Sequence, residues 1–230
     1  ANFETRRASS AAHARLRGLG VGCFLETARA TPEEGAELRF TEDDAIEIRV
    51  GTESNGQGHE TAYAQIVAAH LGIAMEHLRY IQADTGSVRM GHGHGGARSM
   101  HMGGAALMRA MELVLEKARP VAASMLQVSP EQLSFEEGCF KVRSADTEVG
   151  LMQVAAAARE AFDTDTTPDQ RGLDTFAKVE DAPFTFPNGC HVAEVEIDQD
   201  TGHVKLLNYC CVDDYGAMIN PMLVEGQVQG

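Results

Sequence analysis

Short runs of alternating apolar and polar residues recur along the chain in pairs, each pair broken by an acidic turn. Leu38-Arg39-Phe40 and Ile46-Glu47-Ile48-Arg49-Val50 flank Thr41-Glu42-Asp43-Asp44. Leu133-Ser134-Phe135 and Phe140-Lys141-Val142 flank Glu136-Glu137-Gly138, and Val192 to Ile197 and Val204 to Leu207 flank Asp198 to Gly202. A period of two around turn residues predicts a β-hairpin at each. Elsewhere the apolar period lengthens. Tyr63, Ile66, Val67 and His70 or Leu71 share one face, which predicts a helix over 59–71 stopped by Gly72. Leu107, Met111, Val114, Leu115 and Ala118 predict a long helix within 100–126, which Pro120 should kink or interrupt. Further helices are expected over 5–16 with Gly18 as stop, over 149–162, and from Met222 behind Pro221. Strands are expected over 19–28 and 78–81, and 163–174 reads as a polar connection.

The repeated unit is therefore hairpin then helix, at irregular spacing, which excludes a solenoid of fixed period. It predicts an α+β fold of two layers, with mixed or antiparallel sheets covered by helices. A doubly wound parallel sheet fits less well, because hairpins make antiparallel neighbours. We place the first lobe at 1–165 and the start of a second, truncated lobe at 166–230.

Composition narrows the function. A hydrophobic fraction of 43% over 230 residues supports a real core. The net charge of −15 excludes a phosphate-tracking nucleic-acid surface and disfavours an anionic membrane. No apolar run reaches the length of a membrane span and no signal peptide is visible. Cys23, Cys139, Cys190, Cys210 and Cys211 are odd in number and form no C-x-x-C pair. That pattern points away from a zinc or iron–sulfur site and toward a reducing compartment: the cytoplasm, with the periplasm left open. The chain starts at Ala1 and stops at Gly230 with no closing signal, as a piece of a longer polypeptide would. Such a piece is expected to self-associate or to expose an apolar patch.

The candidate chemistry lies in two glycine loops, each just before a predicted helix. Gly56-Gln57-Gly58 precedes the helix over 59–71, and Gly91-His92-Gly93-His94-Gly95-Gly96-Ala97-Arg98-Ser99 precedes the long one. Glycine allows close backbone approach, and a helix start presents free N–H groups, so both loops suit an anionic, phosphate-bearing ligand. The Gln57 amide can donate and accept at once. Arg98, beside Ser99, could grip a phosphate through its guanidinium. Neither loop is a Walker A motif or a dinucleotide fingerprint, for Thr61 stands where the third glycine belongs. Each could equally be a plain turn or a surface loop. His59, His92, His94 and His101 lack metal-ligand spacing. Asp213-Asp214 reads as a turn or cap before Tyr215-Gly216 more readily than as an acid/base pair. A nucleotide-phosphate-binding enzyme of no particular family therefore stays open on these residues.

In order, Gly51 to Thr61, Ala64-Gln65-Ile66, Asp84-Thr85, Gly95 to Ser99, Gly104-Ala105-Ala106, Ala193 to Asp198, Asp213 to Pro221 and Glu225-Gly226-Gln227 resemble the molybdopterin-binding large subunit of the xanthine dehydrogenase, aldehyde oxidase and carbon monoxide dehydrogenase family. The resemblance runs from about residue 14 to the end. It implies a molybdenum–molybdopterin cofactor, commonly the cytosine dinucleotide in bacterial enzymes, and oxidation of an aldehyde, an N-heterocycle or carbon monoxide. It implies partner iron–sulfur and flavin subunits or domains. It places Gln57, between Gly56 and Gly58, against the pterin and Gly96 near the molybdenum, with Gly95, Ala97, Arg98 and Ser99 around the pyrophosphate and nucleotide. Two positions depart: the family often has Thr at His94 and Ser at Ala97. The family's catalytic Glu lies beyond the equivalent of Gly230, so no catalytic residue is assigned here, and this stretch alone is expected to be inactive and without cofactor. A non-catalytic module that keeps the scaffold without cofactor is the alternative.

Overall fold

The computed structural model describes residues 2–28, 32–161 and 171–230. Close contacts divide the chain elsewhere than at residue 165, into one unit of 1–27 with 185–217 and another of 28–184 with 218–230. Long-range strand pairing causes this. Strand β1 (Arg15–Leu25) pairs along its whole length with β9 (Asn188–Asp198), far away in sequence.

In the first unit, β1, β9 and β10 (Val204–Asp214) form an antiparallel sheet in that order. The helix α1 (Phe3–Ala11) is tied to it through Arg6, which donates to Glu194, and Ser10, which donates to Glu196. The helix expected over 5–16 thus ends early. Ala14 takes a left-handed φ of 55°, and Arg15 and Arg17 then lie beside Glu196 and Glu194 of the neighbouring strand. Backbone pairing with β9 outweighs the helical propensity of an Ala- and Arg-rich run. Glu194 and Glu196 are consumed in these pairs. Apolar side chains are exposed on both faces of this sheet: Leu16 and Leu206 on one, Val21, Leu25 and Val212 on the other, all more than half exposed.

The second unit has two layers. Strands β2 (Glu34–Phe40) and β3 (Ile46–Val50) make the first predicted hairpin, β4 (Leu78–Ile81) flanks β3, and β8 (Thr175–Val179) flanks β2. One face is apolar, with Ala36, Leu38, Ile46, Ile48 and Val50 buried. The other carries Glu37, Arg39, Glu47 and Arg49, which pair with one another and with Arg89. Helices α2 (His59–Leu71) and α3 (Gly104–Leu126) contribute Tyr63, Val67, Leu71, Ala106, Leu107, Ala110, Met111 and Val114 to the same core. The small sheet β5 (Leu133–Glu136), β6 (Cys139–Val142) and β7 (Glu148–Gly150) adds Leu133, Phe140 and Val149, and α4 (Leu151–Ala161) adds Val154 and Ala158. The end of α4 expected at Phe162, and the connection expected over 163–170, lie outside the described residues.

The helix α3 runs through Pro120 without a break. Pro120 is exposed, and the alanines at 118, 122 and 123 stay buried around it, so packing outweighs the lost hydrogen bond. The final helix α5 (Pro221–Gln229) starts as expected, with Pro221 in its first turn and the Asn220 side chain accepting from Leu223 N–H. Among the described residues no helix is long and apolar enough to cross a membrane.

Met111 is fully buried between α3 and the sheet. We expect Met111→Ala to cost about 2–5 kcal/mol, read from the midpoint of denaturant unfolding. A change below about 0.5 kcal/mol would place α3 off this core.

Candidate functional site

The two glycine loops meet because of one pair of strands. Strands β3 and β4 run parallel, with Arg49 opposite Ile81. Their carboxyl ends therefore leave the sheet at the same edge, where ligands of open α/β sheets usually bind. Loop one is 51–58, between β3 and α2, and loop two is 82–98, between β4 and the start of α3.

Below, the loops share a buried node. Glu34, at the first residue of β2, accepts from the Gly35 N–H and from Arg98 Nη1. Arg98 also donates to the carbonyls of Gly93 and Glu33, and both charged side chains are fully buried. Gly51 and Gly91 cross directly above. A Cβ on Gly51 would overlap the Glu34 carboxylate, the Met90 carbonyl and Gly91 Cα. The Arg98 side chain, expected to grip a phosphate, lies buried here. Its guanidinium points inward, because a buried carboxylate and two carbonyls offer it charge-assisted bonds.

A second tie runs through Tyr63. Its hydroxyl donates to the Ser99 carbonyl at 2.8 Å and bonds the Thr52 hydroxyl, so α2 holds both loops. The Thr52 carbonyl accepts from Tyr80 and from His59 Nδ1. Burial raises the pKa of Tyr63 far above that of a free phenol, which keeps it a donor. Nearer the surface, His94 Nδ1 meets Glu53 at 3.0 Å and Nε2 meets the Asn55 amide at 3.2 Å, and the Ser54 N–H donates to Gln82. His92 turns to Glu33. Its own main-chain N–H, and then His94, hold the Glu53 carboxylate below the ordinary range. Each of these histidine rings is engaged in a different place. Among the described residues no group of three His, Cys, Asp or Glu could hold a metal ion.

The exposed rim has a different character. Gly56, Gly58, Gly93, Gly96 and Ala97 all have positive φ. A Cβ on Gly56 or Gly95 would meet open space. The N–H groups of Gly95, Gly96 and Ala97 donate to no acceptor among the described residues, and no side chain caps the start of α2. Gln57 Oε1 accepts from the Asn55 N–H and the Ser54 hydroxyl, which leaves its NH2 as the donor end of the amide. Leu223 of α5 closes over Gly58, and Asn220 bonds Gln65. The rim is therefore a row of oriented donors with small residues between them, suited to an extended, anionic, polar ligand.

Sequence reasoning placed Gln57 and Gly95–Ser99 in separate loops, and the structure brings those loops together. It missed Glu34, Thr52, Glu53 and Tyr63, which brace them; a buried Glu just before Gly35 carries no local signal. Asp213 and Asp214 are not a pair. Asp214 accepts from Gly216 N–H in a turn, while Asp213 meets His191, whose other nitrogen meets Tyr209.

Residues 1–230 match the molybdopterin cofactor-binding domain, and the chain belongs to that family. The chain is 34% identical over 226 residues to the carbon monoxide dehydrogenase large chain of Hydrogenophaga pseudoflava, covering 94% of this chain and 28% of that one. It is 33% identical over 219 residues to the gamma subunit of the 6-hydroxypseudooxynicotine dehydrogenase complex of Paenarthrobacter nicotinovorans, covering 95% and 28%. Its fold matches the reconstituted CO dehydrogenase from Oligotropha carboxidovorans with a TM-score of 0.84 at 30% identity, covering 99% of this chain and 30% of that one. Quinoline 2-oxidoreductase from Pseudomonas putida 86 matches at 0.83 and 28% identity, covering 98% and 30%. The chain thus spans less than a third of these relatives.

Two outcomes are expected. Gly51→Ala should cost about 1–3 kcal/mol in denaturant unfolding, because main chain at Met90 and Gly91, together with the buried Glu34 carboxylate, blocks the new methyl group; an unchanged midpoint would refute the close crossing. Burial also pushes the His59 imidazole below its ordinary 6.5. The folded protein takes up that proton at lower pH than the unfolded chain does. Stability from keeping His59 neutral is complete above pH 6.5 and declines as the pH falls from there through the folded value. Unfolding curves between about pH 7.5 and 5 should show a shallower loss for His59→Asn than for the parent; equal slopes would remove His59 from the acid response.

Proposed function

We propose that this domain forms two of the loops that hold a molybdopterin cofactor, as the cytosine dinucleotide, in the large subunit of a molybdenum hydroxylase. The convergence of loops 51–58 and 82–98 beside the paired ends of β3 and β4, with Gly95, Gly96 and Ala97 exposed and their N–H groups bonded to no acceptor among the described residues, carries this reading. Gln57 donates to polar edges of the pterin. Gly96 serves the molybdenum side of the cofactor, with Gly95 beside it, and the Ala97 N–H and the Ser99 hydroxyl donate to the pyrophosphate and nucleotide. Ala97 contributes its N–H alone. Arg98 acts through its main chain and through the shape it imposes on loop two. When bound, the cofactor supplies a molybdenum centre that accepts two electrons from the substrate.

In this reading the substrate is an aldehyde, an N-heterocycle or carbon monoxide, and electrons leave through partner iron–sulfur and flavin subunits or domains. The relatives named above, a dehydrogenase large chain and a subunit of a dehydrogenase complex, support that assignment. The general base is a Glu outside residues 1–230, so this stretch by itself turns over no substrate and retains no cofactor. We assign its self-association to the exposed apolar strands of the three-stranded sheet. Five free cysteines favour the cytoplasm.

The test is made on the full polypeptide carrying this domain. Purified protein should contain molybdenum and pterin in a fixed ratio, measured by metal analysis and by fluorescence of the oxidised pterin. Gln57→Glu preserves shape but replaces the NH2 donor by an acceptor. It should lower pterin retention by roughly tenfold, the worth of one good hydrogen bond to a polar ligand. Protein without pterin, or full retention in the variant, would defeat the reading.

A further inference from the structure

We propose that Glu34 is a positioning residue for the cofactor: by holding the Arg98 guanidinium inside the protein, it sets the backbone of residues 93–98 into the donor row of the rim. The inference rests on the reading of the two loops as a cofactor cradle. Three observations carry it. Glu34 and Arg98 are both fully buried and bonded to each other, so neither charge is offered to solvent or ligand. The same guanidinium donates to the Gly93 carbonyl at one end of the segment, and at the other end the Arg98 main-chain carbonyl accepts from Met102 N–H just before α3. The Arg98 side chain therefore ties Gly93 to residue 98 across the turn that contains Gly95, Gly96 and Ala97, and the main chain joins that turn to the helix. Finally, Gly51 and Gly91 leave no space above the carboxylate, so the pair cannot swing out without parting the two loops.

The physical consequence concerns charge. A guanidinium free at the rim would grip any accessible phosphate group through paired charge-assisted bonds, whatever the rest of the ligand. Neutralised by Glu34, it leaves recognition to N–H groups at fixed positions. Loop two would then favour an anion of matching shape over a simple phosphate.

The experiment uses the full enzyme carrying this domain, with its partner subunits. Glu34→Gln leaves a buried guanidinium uncompensated and can lower stability throughout. The Glu34→Leu/Arg98→Met double variant is therefore the decisive one, since an apolar pair of similar volume preserves buried ion-pair sites without their bonds. Melting temperature and amide exchange across 104–126 report the fold. Amide exchange across 91–99 in cofactor-stripped protein reports the loop, and the rate of pterin loss on dialysis reports the site. In the double variant we expect the melting temperature and the exchange of 104–126 to hold while 91–99 exchanges, and pterin departs, roughly tenfold faster. A folded double variant whose exchange at 91–99 or whose pterin loss matches the parent would overturn the proposal. Absence of pterin from the parent enzyme itself would instead overturn the cofactor reading, and the stripped-protein exchange would still decide whether Glu34 sets the loop.

Discussion

The ion pair between Glu34 and Arg98 is the interaction on which the site depends. Two opposite charges removed from water are tolerated only when each finds the other and the remaining donors find acceptors. Here the carboxylate also takes the Gly35 N–H, and the guanidinium also takes the carbonyls of Gly93 and Glu33. Those demands draw the end of loop two down onto the start of β2. Gly51 and Gly91 cross above them with no room for a side chain. The glycines of this region thus serve two separate ends: some permit backbone to touch backbone, and others leave the rim open.

The scaffold under the pair is rigid in a specific way. The parallel β3–β4 pair sends both loops from one edge, and α2 returns across the sheet with Tyr63 beneath them. Buried hydroxyls and a buried imidazole brace the loops from inside, so the rim needs no contacts of its own to keep its shape. A preorganised row of main-chain donors needs little reorganisation when a ligand arrives. Such sites are supported from the second layer outward, and Glu34, Thr52 and Tyr63 form that layer here.

What was legible in the sequence was local. The three hairpins, α2 with its Gly72 stop, and Pro221 at the head of α5 all follow from periodicity and turn chemistry within a dozen residues. The failures share one cause. Residues 12–16 look helical in isolation but turn at Ala14 to pair with a strand far along the chain. Strand β8 carried no hairpin partner beside it and was missed, because its partner is β2. The three-stranded sheet joins residues 15–25 with 188–214, a pairing that no local pattern announces. At Pro120 the interruption allowed by the backbone rule does not occur, because buried neighbours on either side hold the helix through it.

The candidate site divides the same way. By itself, the sequence determined that two glycine-rich loops precede two helices, that Gln57 sits between glycines, and which family the ordered motifs resemble. Those properties reside in neighbouring residues. Only the tertiary structure decided that the loops meet, that Gly95, Gly96 and Ala97 are exposed, and that Arg98 faces in. An arginine before a helix reads the same whether it serves a ligand or a core. Its direction is set by a carboxylate 64 residues earlier, and no local pattern encodes that partner.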